Sequence, residues 1–249
     1  PTFTQVLLYT NDGGKSWQRS NIYNNDTIDD ILIHFNTAFM YNDTYGIIAG
    51  NNSYIYYTNN GGINWYRMQY YINGSDTETD NTYRNAGNIN YTISGDNLRI
   101  SIAYAIDGTD DYTKQIRFFD ISVADLPNQL NGDTYKLNAF TDISLDMNIT
   151  NSDSTSEYIY YVGNGIARIK SSALVDNDTT YSNDEFYVVN TTRTYYGIYA
   201  YDNNYAIAVG EDIISYTLDG LNWTDIVVST DTSLGADIIL KGIFIHNEM

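Results

Sequence analysis

The sequence predicts an all-β chain built as a ring of small antiparallel sheets, and three observations predict it. A tight polar turn followed by Trp occurs three times, as Tyr9-Thr10-Asn11-Asp12-Gly13-Gly14-Lys15-Ser16-Trp17, as Tyr57-Thr58-Asn59-Asn60-Gly61-Gly62-Ile63-Asn64-Trp65, and one residue shorter as Tyr216-Thr217-Leu218-Asp219-Gly220-Leu221-Asn222-Trp223. The runs between turns are short and rich in Tyr, Ile, Val and Thr, the residues that favour strands. Trp17 to Trp65 is 48 residues and Trp65 to Trp223 is 158, about three times 53. Sequence periods of 20 to 50 residues signal a radial or stacked architecture.

Each turn is the loop of a β-hairpin. Gly13, Gly61 and Gly220 supply the positive φ that it needs, and Asp12, Asn60 and Asp219 hydrogen-bond backbone N–H groups within it.

The second unit reads Ile31–Phe35, Tyr45–Gly50, Tyr54–Thr58 and Trp65–Met68, four strands separated by polar turns. The last unit repeats the scheme as Tyr196–Ala200, Tyr205–Gly210, Ile213–Thr217 and Trp223–Val228. Between them the chain has room for two degenerate units. One uses Ile89–Ile93, Leu98–Ile106, Gln115–Ile121 and Tyr135–Phe140, with an insertion over Ser122–Asp133 that holds Pro127; the other uses Phe140–Asp146, Tyr158–Gly163, Gly165–Lys170 and Glu185–Val189. Asp237–His246 resembles Asp30–Phe35, the first strand of a unit, whereas the N-terminus begins with a third strand, Gln5–Thr10. Residues 1–249 thus read as a single domain, a β-propeller of five four-stranded blades with N- and C-terminal strands sharing one blade; six blades is the alternative count.

The three turns resemble the Asp-box or BNR repeat, Ser/Thr-x-Asp-x-Gly-x-Thr-Trp, of sialidase-like β-propellers. Thr10, Asp12, Gly14, Ser16 and Trp17 fill the motif; Thr58, Asn60, Gly62 and Trp65 follow it with Asn for Asp; Thr217, Asp219, Gly220 and Trp223 are the shortened copy. The resemblance implies a structural turn between the two outer strands of a blade, shared by enzymes, five-bladed lectins and assembly factors. It also implies what a sialidase would need: three clustered Arg, a Tyr nucleophile with a Glu partner, and an Asp acid. None of the seven Arg stands in that family's early Phe-Arg-Ile-Pro type of motif, and Arg19 and Arg67 follow the Trp on outer strands.

The formal charge is −19, from 31 acidic against 12 basic residues. Such a field repels phosphate backbones and anionic membranes, so nucleic acid does not fit, and no run approaches the roughly 18 apolar residues that membrane insertion needs. It suits solubility, cation binding or a basic partner. With no Cys there is no disulfide framework and no thiol nucleophile. Nine Asn-x-Ser/Thr triplets, beginning at Asn25, and few Lys lean toward an extracellular glycoprotein or a virion-surface protein. No Gly-rich phosphate loop, Gly-x-Ser-x-Gly elbow or His-Glu-x-x-His pair occurs.

Three weaker constellations bear on chemistry. Asp29, Asp30, Asp142, Asp146 and Asp237 on inner strands, with Glu157 and Glu211 near strand ends, are the acids a two-carboxylate glycoside hydrolase would draw on. His34 and His246 occupy matching places on two inner strands, where packing competes with metal binding. Asn151-x-Asp153-x-Thr155-x-Glu157, the cluster with Asp107, Asp110 and Asp111, and Asp76–Asp80 offer oxygen donors for Ca²⁺ without the full calcium-loop spacing. The expected function is non-catalytic recognition of a glycan or protein through loops on one face, with 73–88, 109–113 and 151–157 as the contributing loops. A glycoside hydrolase, and a spacer subunit of a larger capsid, tail or filament, are the alternatives.

Overall fold

The computed structural model describes residues 6–23, 34–50, 55–70, 84–94, 97–106, 113–122, 135–137, 141–145, 147–171, 186–190, 193–228 and 238–243. The chain opens on a hairpin, β1 (Leu8–Tyr9) and β2 (Gln18–Arg19), followed by a short β3 (Asn21–Tyr23). Four antiparallel meanders follow. Blade 2 is β4 (Phe35–Met40), β5 (Gly46–Gly50), β6 (Ile55–Thr58) and β7 (Asn64–Tyr70). Blade 3 is β8 (Arg84–Ser94), β9 (Asn97–Ile106) and β10 (Thr113–Ser122), then, after the excursion β11 (Tyr135–Leu137), β12 (Thr141–Ser144). Blade 4 is β13 (Ile149–Ser154), β14 (Tyr158–Gly163), β15 (Gly165–Lys170) and β16 (Phe186–Asn190). Blade 5 is β17 (Tyr195–Ala200), β18 (Ala206–Gly210), β19 (Ile213–Thr217) and β20 (Trp223–Val227).

The second and third strands of blades 2 and 4 are buried almost throughout, and all but β15, which carries Arg168 and Lys170, are nearly continuous apolar runs. Strands covered on both faces read this way, whereas a half-covered strand alternates. The covering comes from neighbouring sheets. One apolar cluster joins blades 2 and 3 through Ile47, Tyr57, Ile100 and Ile102; a second joins blades 3 and 4 through Phe118, Met147 and Tyr161; a third joins blades 4 and 5 through Tyr160, Val162, Ile198 and Ala208. First strands neighbour one another in chain order, β4 beside β8, β8 beside β13, β13 beside β17. Four-stranded sheets stacked face to face around a shared row of first strands make a β-propeller.

Each blade starts the same way. The register between first and second strands slips by one residue at Phe35/Thr37, Ala86/Asn88, Ile149/Asn151 and Tyr195/Gly197. Such a bulge bends and twists the first strand at a fixed place. Opposite it, Gly50, Gly163 and Gly210 end the second strand so close to the carbonyls of His34, Asn148 and Thr194 that a Cβ would run into them.

Several expected boundaries are corrected. The first strand of blade 2 is Phe35–Met40, with 31–33 outside the described residues. The outer strand of blade 3 is β12, while 135–137 leaves the blade to lie parallel on β7. The first strand of blade 4 is Ile149–Ser154, not 140–146. β3 also pairs parallel with β7, so two strands distant in sequence cap the outer edge of blade 2. Among the described residues, the fold comprises four complete blades and the β1–β2 hairpin. The C-terminal stretch 238–243 lies on blade 5: Ile239 bridges Glu211, Asp212 N–H donates to the Ile238 carbonyl at 2.9 Å, and Gly197 packs on Gly242.

Candidate functional surface

The outer turns are built by local hydrogen bonds. In the first, Thr10 Oγ1 donates to Asp12 Oδ1 at 2.8 Å and accepts from Gly14 N–H at 2.9 Å, while Asp12 accepts from Ser16 N–H at 2.9 Å and Ser16 Oγ at 2.6 Å. In the second, Thr58 Oγ1 accepts from Gly62 N–H and Asn60 Oδ1 from Asn64 N–H, both at 2.9 Å. The third compresses the scheme, because Asp219 Oδ1 accepts from Leu221 N–H at 2.9 Å and Asn222 N–H at 2.7 Å. Gly13, Gly14, Gly61, Gly62 and Gly220 all have φ between 70° and 87°, a region that L side chains avoid. The Ser16 hydroxyl and amide hold the Asp12 carboxyl down at about 2, and the side chain and amide of Asn222 hold Asp219 well below the usual carboxylate range. Donors aimed at an ionised carboxylate favour the charged form. Trp65 is buried, Trp223 half-buried and Trp17 exposed.

A second repeated turn, between first and second strands, escaped the sequence reading. In Tyr41-Asn42-Asp43-Thr44-Tyr45, the N–H groups of Thr44 and Tyr45 donate to Asn42 Oδ1 at 2.8 and 2.9 Å, and Tyr41 N–H donates to the Tyr45 carbonyl at 2.8 Å. Tyr201-Asp202-Asn203-Asn204-Tyr205 does the same, with Asp202 accepting from Asn204 and Tyr205 at 2.8 and 2.7 Å. The signal was present: Tyr-Asx-x-x-Tyr ahead of a small-residue strand, twice. The two turn families meet on one face of the propeller, since Gly61 N–H donates to the Thr44 carbonyl at 2.9 Å and Gly220 lies against the Asn203 carbonyl. Blade 4 joins in through Thr155 Oγ1, which donates to Asn203 Oδ1 at 2.6 Å, and Tyr160 OH, which donates to the Asn203 carbonyl at 3.1 Å. Ser156, Glu157, Tyr201, Asn204, Leu218 and Asn222 stand exposed there.

The first strands carry polar side chains that bond across blades. Ser152 Oγ donates to Asn88 Oδ1 and Ser154 Oγ to Asn90 Oδ1, both at 2.7 Å, and Asn151 Nδ2 donates to the Tyr196 carbonyl at 3.3 Å. Asp153, expected as an oxygen donor for Ca²⁺, accepts from Ala200 N–H at 2.8 Å and from Ser154 N–H at 2.9 Å. Burial pushes its pKa up, and those two N–H groups pull against the shift. Glu157 lies in the exposed turn beyond it. Asp107, Asp110 and Asp111 fall outside the described residues, as do Asp76–Asp80, Asp29, Asp30, Asp146, Asp237 and His246. Asp142 is on the outermost strand β12, opposite Arg117, not on an inner strand. His34 is exposed at the start of β4. Among the described residues no three His, Asp or Glu side chains gather in a metal-ligating group. Of the expected binding loops, only 155–157 belongs to the turn face, because 151–154 is strand β13, paired with β14, and 73–83 and 109–112 lie outside the described residues.

No protein-family model matches the chain, and neither does any curated protein. Solved structures similar to it include YCF48 bound to a D1 peptide, at 12% identity and a TM-score of 0.49, covering 88% of this chain and 60% of that one. YCF48 from Cyanidioschyzon merolae is similar at 16% identity and a TM-score of 0.49, covering 89% of this chain and 66% of that one. The chain therefore spans 60% and 66% of the length of these two structures.

Proposed function

We propose that the chain is a non-catalytic binding propeller of the Asp-box type that recognises a glycan or protein through the turn face of blades 4 and 5. The observation that carries this reading is the dense hydrogen bonding of that face. Its turns are held by their own hydrogen bonds, Thr155 and Tyr160 tie blade 4 to Asn203, and Tyr201, Asn204 and Asn222 stand exposed on the ordered frame. A preordered surface loses little conformational entropy on binding. Exposed aromatic rings suit stacking on sugars, and amides suit their hydroxyls. Asp153, the one carboxylate on the described first strands, is engaged by Ala200 N–H, which favours binding over a paired-carboxylate hydrolase. The sequons and the charge of −19 support display outside the cell or on a virion.

The test is a glycan array with and without Ca²⁺, followed by a hydrolysis assay on any sugar retained. Intact glycan bound by the wild type and lost in Tyr201→Ala is the expected result. Cleavage would move the chain to the hydrolases. A blank array with folded protein would overturn glycan recognition and leave protein binding or a spacer role.

A further inference from the structure

One of the Asn-x-Ser/Thr triplets, Asn90-Tyr91-Thr92, lies inside the molecule. An acceptor triplet belongs on a surface loop, because the glycan it receives is bulky and hydrated. This one is on β8, the first strand of blade 3, which has the first strands β4 and β13 as its neighbours. Asn90 is 8% exposed and Thr92 2%, and the Tyr91 ring stacks on Phe39 with centroids 4.1 Å apart. Asn42, by contrast, is exposed at the tip of the β4–β5 hairpin.

The Asn90 amide belongs to the seam with blade 4. Its Oδ1 accepts from Ser154 Oγ and from Tyr91 N–H, both at 2.7 Å, and its Nδ2 donates to Ser152 Oγ at 3.3 Å. Nδ2 is the atom that N-glycosylation alters. The anomeric carbon of an oligosaccharide bonds to it, one Nδ2 hydrogen leaves as a proton, and the diphosphate of the lipid carrier departs with the electrons of the broken C–O bond. The first sugar would then stand where Ser152 stands, and the rest would have to pass between two packed blades. A glycan on Asn90 and a closed seam exclude each other.

We propose that blades 3 and 4 close before any asparagine-glycosylating transferase reaches the chain, so that Asn90 is bare in the native protein. A transferase acting on the still extended chain would take Asn90 and leave the two blades unable to dock. Display outside the cell or on a virion is then reached from a compartment in which the chain folds unmodified. This narrows the route to display and is independent of what the turn face binds, so a blank glycan array leaves it untouched.

The full chain is made behind a secretion signal in a glycosylating host, and glycopeptides are mapped by mass spectrometry in the folded and the retained fractions. The expected result is a glycan on Asn90 in retained, protease-sensitive chains only. Thr92→Val deletes the triplet and keeps the buried shape, and Thr92 Oγ1 has no hydrogen-bond partner among the described residues to lose. It should raise the folded yield several-fold, whereas Thr44→Val, which deletes the Asn42 triplet, should not. Folded protein with a glycan on Asn90 overturns the proposal. So does wild type that is secreted folded, bare at Asn90 and in the same yield as Thr92→Val, since the transferase would have passed the triplet by. The seam is tested apart from the host, because the chain has no Cys. Asn90→Cys and Asn42→Cys are coupled, while denatured, to a thiol reagent bearing maltotriose and then diluted into buffer. The Asn42→Cys conjugate should refold and the Asn90→Cys conjugate should not, although uncoupled Asn90→Cys does; refolding of the Asn90→Cys conjugate overturns the proposal.

Discussion

Asp153 on the first strand of blade 4 accepts a hydrogen bond from the backbone N–H of Ala200 on the first strand of blade 5, at 2.8 Å. A carboxylate thus joins two blades from a partly buried position where its charge is disfavoured, with its pKa raised above the ordinary 3.8. Because the folded value exceeds the unfolded one, this group costs stability as pH rises from the unfolded pKa through the folded one. In Asp153→Asn the amide oxygen keeps the bond to Ala200 and relinquishes the one to Ser154. The melting temperature of the variant relative to wild type should therefore rise between pH 4 and pH 7. A relative value that falls over that range would contradict the placement of Asp153.

The seam between blades 3 and 4 rests on Ser154 Oγ, 2.7 Å from Asn90 Oδ1 and 2.6 Å from the Tyr91 carbonyl. Ser154→Ala should cost about 0.5–1.5 kcal/mol, the net worth of a hydrogen bond, since Asn90 Oδ1 still accepts from Tyr91 N–H at 2.7 Å. A double-mutant cycle with Asn90→Ala should show coupling of about 0.5–1.5 kcal/mol. Strictly additive denaturation data would remove the seam from the account of stability.

Arg99 holds Asp120 with Nε at 2.7 Å and Nη2 at 2.6 Å, and its Nη1 donates to the Ser171 carbonyl of blade 4. The guanidinium is buried while Asp120 is about one-third exposed, with side-chain accessibilities of 6% and 35%. Arg99→Ala should destabilise by about 2–3 kcal/mol, below the range for a fully buried pair because water reaches Asp120. Arg99→Lys should recover only part of that, since an ammonium cannot make the two-pronged contact. Urea denaturation with equal effects for Lys and Ala would show that the fork geometry is immaterial.

The outer turns should respond to acid in a sequence-specific way. Asp12 is held at about 2 and Asp219 lower than its usual range, so the stability they give is complete above the unfolded carboxylate pKa and is lost as pH falls through the folded values. Amide resonances of Ser16, Leu221 and Asn222 should shift together with these carboxyls below about pH 3. Asn60 does not titrate, so the Asn64 amide, bonded to it at 2.9 Å, is the internal control. Movement of Asn64 in parallel with Ser16 would point to global acid unfolding instead.

What could be read in the sequence follows the range of the forces. The Thr10–Trp17, Thr58–Trp65 and Thr217–Trp223 turns were legible because the Thr, Asp and Asn side-chain bonds that shape them run between residues at most four apart. The buried runs Ile55–Thr58 and Tyr158–Gly163 were legible because apolar continuity declares a strand covered on both faces. Ile149–Ser154 was not, because Thr, Asn, Ser and Asp in a row are strand-like only once Asn88, Asn90 and Ala200 are in place to receive them. Tyr135–Leu137 reads as an outer strand of its own blade because parallel pairing with Met68–Tyr70 has no local signature. On the candidate site, the Tyr41–Tyr45 and Tyr201–Tyr205 turns were visible as letters but not as a motif, since their role depends on docking against Gly61 and Gly220.

The capping of β7 bears on how the molecule withstands force and proteolysis. β3 arrives from the hairpin that precedes blade 2, and β11 returns from within blade 3, so the rim of blade 2 is laced by its neighbours on both sides. A blade closed only by its own hairpins could be peeled away singly. Here, unzipping blade 2 first requires tearing out both laces, which links the rupture of three consecutive units into one mechanical event. A nick between Tyr23 and Phe35 would leave the lace seated, whereas excising residues 21–23 would expose the rim.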